Sequence, residues 1–403
     1  MQDVEIFTAE QFKAQAAELR AAVAELQRRD EQTIDPHDPF GNETEFHDYS
    51  ESYVDIVPQI LIPGCRIPLR PNAREAGRIR RYFNITGACL TGHMILSNLL
   101  AVVFSLLYFA VQTWLDTSAA GGTLPENYET LLDEYFWSSS SGTAMNIIVF
   151  LLCNAGFAIL GCKWAKIPIP TLFRTKGLTP GLIVIYICTA IGLQSVCGFL
   201  AGWIMDFLSA AGITAYDPDL SAGTDIKNMV LMCIYSCIVA PVTEELLFRG
   251  FTLKNLSRVS QRFGIIASAV LFGLWHENIA QFVLAFFVGI FMGYLTVKHD
   301  SIMPAIFCHM AVNTAAQLFE IADVYGLDLF YSVLDIGYFV VTCVGIVLLV
   351  RMIVRERLPY ATPHQTERGL RIAATSIPLV FVTLAHVIMS VVWIIQTTNG
   401  ELS

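Results

Sequence analysis

Glu244, Glu245, Arg249, His276, His309 and Asn313 are polar or ionisable side chains set in otherwise apolar sequence. A charged side chain at bilayer depth costs roughly 2.5 to 3.5 kcal/mol on insertion scales, so each asks for a partner or a function. Glu245 and Arg249 stand four apart with the acid toward the amino end, the better orientation for an intrahelical ion pair, which neutralises Glu245. Glu244 is rotated about 100° from Glu245 around the helix axis and has no basic residue three or four positions away, so it is expected to project toward another helix. His309 and Asn313 share one face of a later segment by the same spacing. Glu244, His276, His309 and Asn313 are thus placed to converge from three helices into one polar pocket. A carboxylate can take a proton from water, an imidazole can hold or relay it, and imidazole or amide N–H groups can stabilise an oxyanion. That inventory suits hydrolysis.

The elements that must hold these residues are membrane helices. Of 403 residues, 54% are hydrophobic and only 15% charged, against the roughly 25% charged usual in a soluble chain. Mean hydropathy is +0.55. Apolar stretches able to cross a ~30 Å hydrocarbon layer run over 93–115, 144–161, 181–208, 229–248, 263–275, 282–297, 302–321, 329–350 and 373–395, the fifth being short. The expected fold class is therefore an all-α polytopic membrane protein of about nine transmembrane helices with a polar intramembrane active-site pocket. Of the 25 Lys and Arg, all but Lys227 fall on the side shared by the amino-terminal region and alternate loops, which reads as cytoplasmic. The amino terminus lacks a basic n-region followed by an apolar core, so the amino-terminal segment is expected to stay in the cytoplasm and the carboxyl terminus to lie outside. The expected location is a bacterial plasma membrane, as an integral protein. Counted from the cytoplasmic end, His309 lies about 12 Å deep and His276 nearly 20 Å, a difference that tilt or a broken fifth helix must reconcile.

Three regions are expected: a cytoplasmic segment 1–82, a transmembrane domain 83–396 with its catalytic core at about 181–321, and a tail 397–403. Within the first, Phe12, Ala16, Leu19, Val23 and Leu26 recur at helical spacing behind Thr8 and Gln11, which are placed as a capping box. This short amphipathic helix suits docking on the protein or membrane surface, with self-association as an alternative. The acidic stretch 30–55, with Pro36 and Pro39, reads as linker. A net charge of −10 argues against a nucleic-acid partner. The ten cysteines lie in spans or on the cytoplasmic side and read as packing residues without disulfides. His386 in the ninth span likewise reads as packing, and Gly289 with Gly293 as a contact that lets helices approach closely.

Glu244-Glu245-x-x-x-Arg249, Phe272-x-x-x-His276 and His309-x-x-x-Asn313, in that order on successive spans, resemble the three motifs of the CPBP family of intramembrane proteases, which includes the CAAX prenyl endopeptidases and bacteriocin-processing or immunity proteins. The resemblance spans about 181–321. It implies a glutamate-dependent endopeptidase acting on membrane-associated proteins or peptides, in which Glu244 with His276 activates water. It further implies that His309 and Asn313 form the oxyanion hole and that Glu245, Arg249 and Phe272 support the site. Other protease chemistries lack their signatures: His276-Glu277-Asn278-Ile279-Ala280 has Ala280 where a zincin helix needs its second histidine, and no Gly-x-Ser-x-Gly is present. No cofactor is expected; Zn²⁺ held by Glu244, His276 and His309 is the alternative. From a different class, a non-catalytic membrane factor or transporter could use the same pocket to bind a peptide, a lipid or protons. The absence of internal repeats with matched Gly or Pro breaks speaks against a transporter.

Overall fold

The computed structural model describes residues 73–119, 139–175, 177–215, 223–356 and 369–399, with 16–18, 20, 21, 128, 132 and 136 besides. Residues 16–18, 20 and 21 are helical, while the rest of the amino-terminal helix, its capping box, the acidic linker and residues 400–403 lie outside the described residues. Among the described residues there is no strand. Among the described residues nine helices of 14 or more residues follow one another: α1 (Ala73–Ala119), α2 (Ser140–Ala165), α3 (Pro180–Ala210), α4 (Ile226–Leu256), α5 (Gln261–Leu274), α6 (Ile279–His299), α7 (Met303–Val324), α8 (Asp328–Arg355) and α9 (Ile377–Thr398).

Eight of these are long and apolar enough to cross a membrane, and α5, at 14 residues, is not. At 1.5 Å per residue α5 reaches only about 21 Å. The chain then breaks over 275–278 and returns as α6. The α5–α6 hairpin therefore leaves and re-enters on one side whether or not it crosses fully, and the alternation of basic and acidic loops is unaffected. The first helix also begins earlier than the apolar stretch alone suggests, at Ala73 rather than His93. Its opening turns are held by packing instead of hydropathy: Ile79, Phe83, Cys89 and Leu90 are buried in the main core.

Local chemistry sets the helix starts. Thr179 Oγ1 accepts from the Leu182 amide with Pro180 following, Ser260 Oγ accepts from Phe263 at 3.1 Å, and Asn278 Oδ1 accepts from Gln281 at 2.8 Å. Each satisfies an amide that the first turn leaves without an intrahelical partner. One end of the bundle gathers the basic loops. Lys254 Nζ and Arg174 both meet Asp300, the first at 2.8 Å, and Arg258 donates to the Ala165 carbonyl at 2.8 Å. There too Lys298 meets Glu356 at 2.6 Å, and Arg80 donates to Thr375 at 3.0 Å. The other end is tied by Thr214 and Thr398 at 3.1 Å.

The core runs between these ends through Leu247, Phe248, Phe251 and Phe272, while the distal half of α1 and most of α8 turn large apolar side chains outward. Such a surface suits lipid, where helices satisfy their own backbone groups. Without a hydrophobic drive between helices in lipid, close backbone approach does the work. A Cβ on Gly345 would lie 2.0 Å from the Cys188 carbonyl oxygen, so α8 meets α3 at glycine. On α6, a Cβ on Gly289 would lie 3.0 Å from Arg249 Nη2, and one on Gly293 3.0 Å from Leu253.

Candidate active site

The fourth helix is not uniformly α. Residues 235–239 and 246–253 are π-helical, and a single α segment, 240–245, lies between them and carries both glutamates. Proline explains the first departure. In the π register the Ala240 amide reaches back to Tyr235 O, so the Ser236 carbonyl would be due a bond from residue 241, which is Pro241 and has no N–H. A half-buried carbonyl left open in this way calls for another donor. It accepts from Asn313 Nδ2 of α7 at 2.8 Å. The backbone break in one helix thus fixes the amide of another.

Glu244 and Glu245 diverge from this segment. Glu245 is fully buried, as is Arg249, and its Oε1 accepts from Arg249 Nη1 at 2.8 Å. The same oxygen lies 2.9 Å from His309 Nδ1. A carboxylate beside a guanidinium is an acceptor only, so Nδ1 carries the hydrogen and donates. Glu245 therefore orients the imidazole of α7 besides neutralising Arg249, a second task that helical spacing did not disclose. The other imidazole nitrogen, Nε2, faces Glu244 Oε2 at 3.9 Å.

His276 lies just past the end of α5, in the break. Its Nδ1 is 2.9 Å from the Phe272 carbonyl, one turn back. A carbonyl cannot donate, so this nitrogen bears the hydrogen and Nε2 is left as an acceptor. The fold-back turns the ring toward the Phe272 turn, so that His276 and His309 line the same cavity on either side of one aromatic ring. Phe272 is the hub: its ring centroid lies 5.0 Å from that of His276 and 6.0 Å from that of His309, and the Arg249 guanidinium sits 4.3 Å from its centre.

Glu244, His276, His309 and Asn313 all line one cavity of about 510 Å³, with Phe272 in its wall; Glu245 and Arg249 are not part of its lining. Much of the remaining wall is apolar, from Met232, Leu284, Val288, Met292 and Val312. A polar strip that the sequence reading did not single out extends from Asn313 along α7. Gln317 accepts from Ser236 Oγ at 2.8 Å and donates to Glu320 at 2.7 Å, and all three line the cavity. The signal was present in the four- and three-residue steps 309, 313, 317, 320. Asn154 of α2 was missed too: it is fully buried and donates to Thr243 Oγ1, next to Glu244, at 3.2 Å.

The chemistry of the donor set can be weighed against zinc. Among the described residues no three His, Cys, Asp or Glu side chains are grouped so as to hold a metal ion. Nδ1 of each histidine is engaged, one by a carboxylate and one by a carbonyl, an anchoring that orients the ring whether its Nε2 meets a water or a metal.

Part of this chain resembles known proteins. Residues 226–315 match the family described as Type II CAAX prenyl endopeptidase Rce1-like. The Rce1-like segment contains every residue that the sequence reading placed in or beside the site, and it is narrower than the expected core. Helices α1 to α3, α8 and α9 lie outside it. The chain is also similar to the protein named "Putative membrane peptidase YdiL" of Bacillus subtilis (strain 168), with 25% identity over 207 residues, 51% of this chain and 79% of that protein. No solved structure matches the chain. The Rce1-like match and the helical bundle together support an integral membrane endopeptidase of the CAAX type.

Proposed function

We propose that the cavity is the site of an intramembrane endopeptidase that hydrolyses peptide bonds of membrane-associated proteins or peptides with water activated by Glu244 and His276. What carries this reading is the division of the two glutamates: Glu244 faces the cavity with both histidines and Asn313, while its neighbour is closed off in an ion pair. A water between Glu244 and His276 Nε2 meets two acceptors, which polarise it for attack on a carbonyl carbon. Its proton passes to Glu244 as the C–O bond forms. The negative oxygen of the tetrahedral intermediate lies toward His309 and Asn313, whose N–H groups stabilise it. Glu245 holds the Nδ1–H of His309, so a hydrogen on Nε2 is the one that reaches this oxygen. Collapse breaks the C–N bond, and the proton held by Glu244 goes to the leaving amine. Water and peptide give one carboxylic acid and one amine.

The apolar remainder of the wall suits a substrate that arrives from the lipid. The basic end of the bundle is read as cytoplasmic, with the amino terminus inside. A farnesylated CAAX-box peptide is the first probe. Native protein is expected to cleave it and Glu244→Gln to lose all measurable cleavage while keeping its melting midpoint. Chelators are expected to leave the native rate unchanged, whereas reversible loss on chelation with recovery on added zinc would replace this mechanism by a metal-dependent one.

A further inference from the structure

We propose that α1 and α9, both outside the Rce1-like segment, form a positioning clamp that sets the orientation of His276 through its two chain neighbours. The inference rests on the peptidase reading for its catalytic consequence. Its geometry does not. Glu277 has φ of +56°, a left-handed backbone that a glutamate adopts at a cost and keeps only where its surroundings impose it. Those surroundings are on α9. His386 Nδ1 donates to Glu277 Oε1 at 2.8 Å, and Trp393 Nε1 donates to Oε2 at 3.3 Å. Both carboxylate oxygens are thereby fastened to a single rigid helix.

On the other flank, Trp275 is held between imidazoles of two helices. Its ring lies 4.6 Å from His93 of α1 and 4.7 Å from His386. His93 is itself fixed at 2.5 Å to Asn154, which donates to Thr243, so this side of the clamp ends beside Glu244. Asn278 completes the enclosure by donating to the His276 carbonyl at 3.0 Å. His276 therefore has both neighbours anchored on elements distant in sequence, while its own ring is tied to Phe272 of the turn before it. Glu277, which follows the histidine as in a zincin helix, lies in a loop and serves as the grip. His386, read from sequence as packing, is the hand that holds it.

The test uses the full chain in detergent, imidazole ¹⁵N NMR of His276 (assigned by the signal lost in His276→Asn) and cleavage of a farnesylated CAAX-box peptide. Native protein is expected to show one fixed Nδ1–H tautomer of His276. Glu277→Gly removes the carboxylate but supplies the residue that the backbone angle favours. Its melting midpoint should hold or rise while the His276 tautomer becomes mixed and kcat falls about 10- to 100-fold with little change in KM. Trp393→Phe, which keeps the ring and one of the two fastenings, should give a smaller loss. A Glu277→Gly protein with the native His276 signal and native kcat overturns the clamp. Glu244→Gln run alongside separates the two ideas: it should end cleavage and leave the His276 signal untouched. If neither protein cleaves, the peptidase reading fails, and if Glu244→Gln cleaves like the native protein, the role given to Glu244 fails; in both cases the clamp is judged on the His276 signal alone.

Discussion

Adjacent glutamates with opposite surroundings make substitution informative. Glu245→Gln removes the charge opposite a fully buried Arg249 and weakens the hold on His309 Nδ1. Breaking a buried pair from one side costs about 3 to 5 kcal/mol, so the variant should melt well below the native protein and be poorly active as well. A Glu245→Gln protein of native melting midpoint in a thermal shift assay would show that the pair carries no such energy. The 100° separation of the two glutamates around the helix made their divergence legible from sequence, because it depends only on neighbouring positions. The bond from His309 to Glu245 was not legible, since it joins residues 64 positions apart and depends on how α7 is rotated against α4.

Helices explain why the side chains stand where they do. The membrane spans were legible because length and hydropathy are local properties, and eight of the nine stretches are long enough to cross. The π segments of α4 were hidden, since they are a choice of hydrogen-bond register, although Pro241 was the visible cause of one. The coupling between Pro241 and Asn313 is open to measurement. Asn313→Ala should cost about 1 to 3 kcal/mol by stranding the Ser236 carbonyl. In a Pro241→Ala background the restored amide can serve that carbonyl, so the same Asn313→Ala change should cost less, with a coupling of about 0.5 kcal/mol or more in a double-mutant cycle of melting or denaturant midpoints. Strictly additive losses would separate the proline from the asparagine.

The molecule as a whole joins a short sequence-recognisable segment to a larger scaffold that holds it. Topology belongs to this scale. In a background without native cysteines, an impermeant maleimide added outside intact cells should label Leu327→Cys, after α7, and not Thr175→Cys, in the loop between α2 and α3. The opposite pattern would invert the orientation and place the basic end outside. The role of the scaffold was not legible in sequence, because His93, Asn154, His386 and Trp393 carry no shared motif and meet only in the folded bundle. The central claim is that a water held by Glu244 enters the peptide bond. Cleavage of the farnesylated peptide in H₂¹⁸O, read by mass spectrometry, tests it most directly. The native protein should place one ¹⁸O in the newly formed carboxyl group, with and without chelator, and Glu244→Gln should release no product. Equal ¹⁸O-labelled product from Glu244→Gln, or product from the native protein without ¹⁸O, would contradict the account.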